Sequence, residues 1–212
     1  MTDASWVLLV AVVLVAALDW FAVGTDRRRL EYAAKPLTMA ALIALALSLD
    51  VSQPSVRAAV LVALVLCLVG DVALLLPGED WFVVGLGAFL VAHLAYVVSF
   101  WWRGIGVQGL LVGLVMVGVA VAVLGRRIVS AVARGPQRAL TAPVVGYIGV
   151  ISAMVATAVG TGEAAAVAGA ILFYCSDALI AWTRFIRDLP HGRLAVMITY
   201  HLAQILLVLS LL

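Results

Sequence analysis

Apolar residues fall into eight long stretches with brief polar connections between them. They run Ser5–Val23, Pro36–Leu49, Val56–Leu76, Trp81–Trp102, Ile105–Leu124, Thr141–Gly160, Glu163–Thr183 and Arg193–Leu212. Most are long enough to cross the roughly 30 Å hydrocarbon layer as a helix. The second is short for a crossing and is expected to borrow residues from its flanks. Only helices and closed barrels satisfy every backbone group inside lipid, and stretches of this length point to helices. The pattern therefore predicts an all-α, polytopic membrane bundle of eight transmembrane helices, forming one domain over residues 1–212.

Composition supports the same class. Of the 212 residues 66% are hydrophobic and 11% charged, more apolar surface than a soluble domain of this size could bury. The net charge of +2 gives no reason to expect a nucleic-acid partner. Cys67 and Cys175 lie inside apolar runs and read as small buried hydrophobes rather than a disulfide. The Cys and His inventory offers no familiar zinc spacing, so neither metal nor cofactor is expected. The first apolar run lacks a signal-peptide pattern and is expected to stay in the mature protein.

The basic residues set an orientation. Arg27, Arg28, Arg29, Lys35, Arg126, Arg127, Arg134, Arg138, Arg184, Arg187 and Arg193 all flank the first, fifth and seventh connections. Only Arg57 and Arg103 flank the others. The positive-inside rule then places the odd connections in the cytoplasm and both termini on the extracytoplasmic side.

Orientation gives depth to two carboxylates. Asp71 sits five residues before Leu76, and Asp177 six before Thr183. At 1.5 Å per residue both lie about 8–9 Å inside the cytoplasmic face. An acidic side chain in hydrocarbon is costly, which makes both functional candidates. Asp19, Tyr147, Tyr200 and His201 come out in the same layer, about 6–11 Å deep, and Lys35 stands at its rim. A polar cavity open toward the cytoplasmic leaflet is the natural reading.

Each candidate has a plainer alternative. Arg184, two turns from Asp177 on the same helix face, could simply pair with it. Asp19 precedes an Arg-rich loop and could pair there. His93 and Tyr96 share a face, and could orient a carboxylate or a headgroup or be satisfied core residues. Tyr200 and Gln204 share another face and are expected at the cavity, whereas His201 points about 100° away. Lys35 suits a phosphate-binding charge as well as an interfacial anchor. Gly109 and Gly113 form a GxxxG that could bring two helices close. Trp101 and Trp102 suit an interfacial belt, and His191 a solvated loop.

Several short patterns then occur in order: Lys35-Pro36-Leu37-Thr38; Gly70-Asp71 with Leu74-Leu75-Leu76-Pro77; and Gly87-Ala88-Phe89 with His93, Tyr96 and Phe100. Gly169-Ala170 follows, with Leu172-Phe173 and Ser176-Asp177, and then Tyr200 with Ala203-Gln204. Together they resemble the YhhN/TMEM86 family over helices two to four, seven and eight. The resemblance implies lysoplasmalogenase activity, the hydrolysis of the vinyl ether of an alkenyl-glycerophospho-ethanolamine or -choline to a fatty aldehyde and a glycerophospho-base. It implies a lysophospholipid taken from within the bilayer, here that of a bacterial inner membrane.

The chemistry fits. A vinyl ether hydrolyses by proton transfer to its β-carbon, capture of the oxocarbenium by water, and collapse of the hemiacetal. That needs one carboxylic acid and one anion, which two neighbouring carboxylates in a low-dielectric setting can supply. Asp71 and Asp177 are the expected pair, with Asp71 slightly preferred as the acid. Lys35, His93, Tyr96, Tyr147, Ser176, Tyr200 and Gln204 are expected to position substrate, water or headgroup. The rival class is a small-molecule or proton-coupled transporter using the same aspartates. The confinement of the polar layer to one side argues against it, as no second layer marks an outward gate. An intramembrane aspartyl protease would need a Pro-Ala-Leu signature that the last helix lacks.

Overall fold

A computed structural model describes residues 1–212 as helices and short connections. The helices are α1 (Asp3–Gly24), α2 (Arg28–Ser48), α3 (Pro54–Leu75), α4 (Glu79–Arg103), α5 (Val107–Ala120), α6 (Arg126–Arg134), α7 (Thr141–Thr161), α8 (Ala164–Phe185) and α9 (Gly192–Leu209). A π-helical turn, Val121–Gly125, joins α5 to α6, so these nine helices give eight spans long and apolar enough to cross a membrane. No strand is present.

Two helices run past the apolar stretches, the second by borrowing residues from its N-terminal flank as its short run requires. The second span starts at Arg28, eight residues before Pro36, and the proline sits inside α2. Its first turns carry Arg28, Arg29, Glu31 and Lys35, which an apolar-run reading excludes although the helix continues through them. The basic stretch after Leu124 is likewise helical. In α6, Ile128 and Val132 are buried while Arg126, Arg127 and Arg134 are exposed. Cys67 is buried as expected, but Cys175 faces outward, because α8 presents that side to its surroundings.

The helices close a ring in which α1, α2, α3, α4, α7, α8 and α9 each pack on the next and α9 returns to α1. α9 also touches α2 and α3, while α5 lies outside the ring against α7. In lipid, helices gain little from hydrophobic exclusion and associate through close packing and hydrogen bonds. Gly109 and Gly113 show the packing. A Cβ at Gly113 would come 2.8 Å from the Ala156 backbone, and one at Gly109 2.7 Å from the Val159 carbonyl oxygen. Gly118, one turn further along α5, meets nothing within 4 Å. Gly113→Leu is therefore expected to lower thermal stability in detergent by about 1–3 kcal/mol, with Gly118→Leu nearly neutral. Equal effects would contradict this packing.

Hydrogen bonds tie the ends. Ser5 Oγ donates to the Ser48 carbonyl at 3.0 Å and Arg103 to the Ser210 carbonyl at 2.6 Å, satisfying carbonyls left over at two helix ends. Both bonds lie at the end that holds the two termini. At the opposite, basic end Tyr32 Oη donates to the Leu75 carbonyl at 2.8 Å, and Arg193 bonds Glu31 at 2.7 Å and Asp26 at 2.9 Å.

Candidate active site

The two carboxylates sit below the basic end in separate nests. Asp71, on α3, is 1% exposed. The glycine before it lets the Phe89 ring lie against α3, where a Cβ on residue 70 would be 2.7 Å from that ring. Asp71 Oδ1 lies 3.1 Å from Lys35 Nζ, and Tyr200 Oη donates to Oδ2 at 2.6 Å. The Lys35 ammonium is thus the counter-ion of a buried carboxylate as well as a group at the rim. Desolvating either charge alone would cost several kcal/mol, so each holds the other in place.

Asp177, on α8, has no cation partner. Tyr147 Oη donates to its Oδ2 at 2.6 Å, and His93 Nε2 stands 3.6 Å from the same atom, beyond hydrogen-bond length. Arg184 does not reach it and instead pairs with Glu79 at 3.0 Å. The His93 ring is held edge-on between Phe173 and Tyr147, at centroid distances of 4.6 and 5.4 Å. Its neighbour Tyr96, expected to help position substrate, donates instead to Gln204 Oε1 at 2.6 Å, a buried link between α4 and α9. Ser176 Oγ donates to the Val196 carbonyl at 3.1 Å and serves the α8–α9 contact.

The expected carboxylate pair is therefore not in contact. No hydrogen bond or ion pair joins Asp71 to Asp177, and aromatic rings stand between their partners. Tyr200, which bonds Asp71, packs edge-on against Phe173 at 5.4 Å, and Phe173 packs against His93. Sequence depth placed the two at one level but could not show that bulky rings fill the space between α3 and α8.

Two spaces adjoin these nests. The first is an apolar slot bounded by α3, α4, α6, α7 and α8, on which Asp177 is the one charged residue and Tyr147 the neighbouring hydroxyl. The second is a polar vestibule at the basic end, where Lys35, Arg28 and Arg193 face Glu31, Asp26 and Asp188. Leu74, Phe82 and Ile180 line both, so the spaces adjoin. The combination suits an amphipathic ligand with one long apolar chain and a head carrying both signs of charge.

Two further polar residues are buried in the bundle. Asp19 is fully buried and neither carboxylate oxygen has a protein partner, so it does not pair with the Arg-rich loop. His201 is also fully buried, and its Nδ1 accepts from Trp20 Nε1 at 3.1 Å. The signal for Asp19 was its depth, which matches that of the two chosen aspartates. His201 points away from Tyr200 and is still enclosed, because α9 packs against α1, α2, α3 and α8.

A model of the YhhN family matches residues 30–211. The chain is 36% identical over 148 residues to Lysoplasmalogenase TMEM86B of Homo sapiens, covering 70% of this chain and 61% of the human protein. It is 35% identical over 148 residues to Lysoplasmalogenase TMEM86B of Mus musculus, with the same coverage of 70% and 61%. It is 30% identical over 155 residues to Lysoplasmalogenase TMEM86A of Bos taurus, covering 71% and 64%. The chain thus spans less than two thirds of the length of these relatives. No solved structure matches it.

Proposed function

The chain belongs to the YhhN family, and from that premise we propose that it is a membrane-embedded hydrolase of the lysoplasmalogen vinyl ether, releasing a fatty aldehyde and a glycerophospho-ethanolamine or -choline. The observation that carries the reading is a single carboxyl group, Asp177, on the wall of an otherwise apolar slot beside a polar vestibule. The alkenyl chain occupies the slot, the head occupies the vestibule, and the vinyl ether lies at Asp177.

Asp177 is the proton donor. The Asp71 carboxylate, bound to the Lys35 ammonium, is the anionic half of an ion pair and has no proton to give. This reverses the preference drawn from sequence. With Tyr147 bonded to Oδ2, the proton is carried on Oδ1 and passes to the β-carbon of the double bond, leaving an oxocarbenium ion beside the new carboxylate. Water adds to the cationic carbon and returns a proton to Asp177. The hemiacetal then breaks its bond to the glycerol oxygen, which takes the hemiacetal proton as the aldehyde forms. One carboxyl group thus completes the cycle. Asp71 fixes Lys35, whose remaining N–H donors face the phosphate, and Tyr200 fixes Asp71. The basic end lies in the cytoplasm and both termini outside, on the distribution of arginines and lysine. In a bacterial cell this places the site at the cytoplasmic leaflet of the inner membrane.

Purified protein in detergent micelles is expected to release aldehyde from an alkenyl lysophospholipid and none from the alkyl or acyl analogue of equal chain length. Absence of aldehyde from the alkenyl substrate overturns the reading. Tyr147→Phe, which removes a hydrogen bond that becomes charge-assisted as the Asp177 carboxylate forms and is then worth about 1.5–3 kcal/mol, is expected to lower kcat about 10-fold or more with little change in KM. An unchanged kcat would remove Tyr147 from the site.

A further inference from the structure

Asp19 is the one fully buried acid at the basic end with neither a cation nor a hydrogen-bond donor of its own. The charges acting on it are those of Lys35, Glu31, Asp71 and Arg193. Lys35 is held by Asp71 at 3.1 Å, and Arg193 by Glu31 at 2.7 Å. Asp19 remains fully buried with both oxygens unpartnered. An uncompensated carboxylate away from water costs several kcal/mol, more than a marginal fold keeps for no return. Asp19 lies one helical turn below the vestibule. Val23, four residues on along the same face of α1 and about 6 Å nearer the end, lines the vestibule beside Lys35. On the facing helix α9, His201 is a second orphan. Its Nδ1 accepts the Trp20 N–H, so the ring proton sits on Nε2, which has no protein acceptor.

The geometry points to Asp19 as the seat of the substrate headgroup's primary ammonium, making the vestibule a zwitterion site that selects ethanolamine over choline; this rests on the lysoplasmalogen reading above. Asp177 meets the vinyl ether, Lys35 on α2 meets the phosphate, and Asp19 on α1 meets the ammonium two carbons beyond. A primary ammonium brings three N–H donors to two unpartnered acceptor oxygens. A trimethylammonium brings none, and its bulk must enter a position that is closed to solvent. Charge-assisted hydrogen bonds of this kind contribute about 1.5–3 kcal/mol, or about 10- to 150-fold in affinity.

The test uses three substrates with the same alkenyl chain, bearing phosphoethanolamine, phosphocholine or phosphate alone. For the wild-type protein the ethanolamine lipid is expected to have a KM about 10-fold or more below the other two, at similar kcat. Asp19→Asn is expected to raise the ethanolamine KM to the level of the other two, erasing the preference. Ratios between substrates on one preparation do not depend on the fraction folded. If Asp19→Asn fails to fold, Asp19→Glu and the wild-type preference carry the test. A wild type that treats all three alike, or a variant that loses all three in proportion, overturns the assignment and leaves Asp19 a hydrated or structural residue. No aldehyde from any substrate fails the functional reading itself, a different result from aldehyde without preference.

Discussion

Asp177→Asn is expected to abolish aldehyde release, with kcat falling on the order of 10³-fold and the protein remaining folded. General acid catalysis by a positioned side chain contributes about 10²–10⁴-fold, and here the same group returns to take the proton from water. The asparagine amide is nearly the same size and still accepts the Tyr147 hydroxyl bond made at 2.6 Å. No cation depends on Asp177 for compensation, and its side chain retains 13% exposure. Loss of activity without loss of thermal stability in detergent is therefore the signature of its role. A variant that keeps near-normal turnover would contradict it, whatever its stability.

Asp71→Asn is expected to behave in the opposite way, chiefly through stability. The Asp71 and Lys35 side chains are 1% and 8% exposed. Removing one partner of a buried ion pair strands the other charge, at about 3–5 kcal/mol. The variant should melt well below the wild type in the same detergent. Lys35→Met in the same chain should recover part of the loss, because replacing both partners removes the stranded charge. The double variant should then fold yet bind substrate poorly, with a raised KM, since the phosphate has lost its ammonium. Simple additivity of the two losses would show that Lys35 and Asp71 do not act as a pair.

The contrast between these variants marks what the sequence could convey. Spans were legible because twenty apolar residues have few other uses, and Asp71 and Asp177 stood out because a carboxylate in hydrocarbon must be accounted for. The start of α2 was hidden because Arg28, Glu31 and Lys35 break the apolar run while their backbone continues the helix. Residue level along a helix axis is a local quantity, fixed by 1.5 Å per residue, so a level for each aspartate can be read from sequence. Lateral neighbours are set by the packing order of the helices. The Lys35–Asp71 pair needs α2 against α3, and the Phe173 ring between the nests needs α8 against α9. Asp19 was misread for the same reason. An Arg-rich loop follows it by about two turns, yet α1 turns it inward, away from Arg27, Arg28 and Arg29, all exposed.

The most direct test of the account is hydrolysis of an alkenyl lysophospholipid by purified wild-type protein in heavy water, with mass analysis of the aldehyde trapped as it forms. Protonation of the β-carbon puts one solvent deuterium on the carbon next to the aldehyde carbonyl, and slows turnover relative to ordinary water. Aldehyde carrying one deuterium there, formed by the wild type and not by Asp177→Asn, is the expected result. Aldehyde with no deuterium at that carbon would contradict the account, since the bond would then have been broken without protonating the alkene.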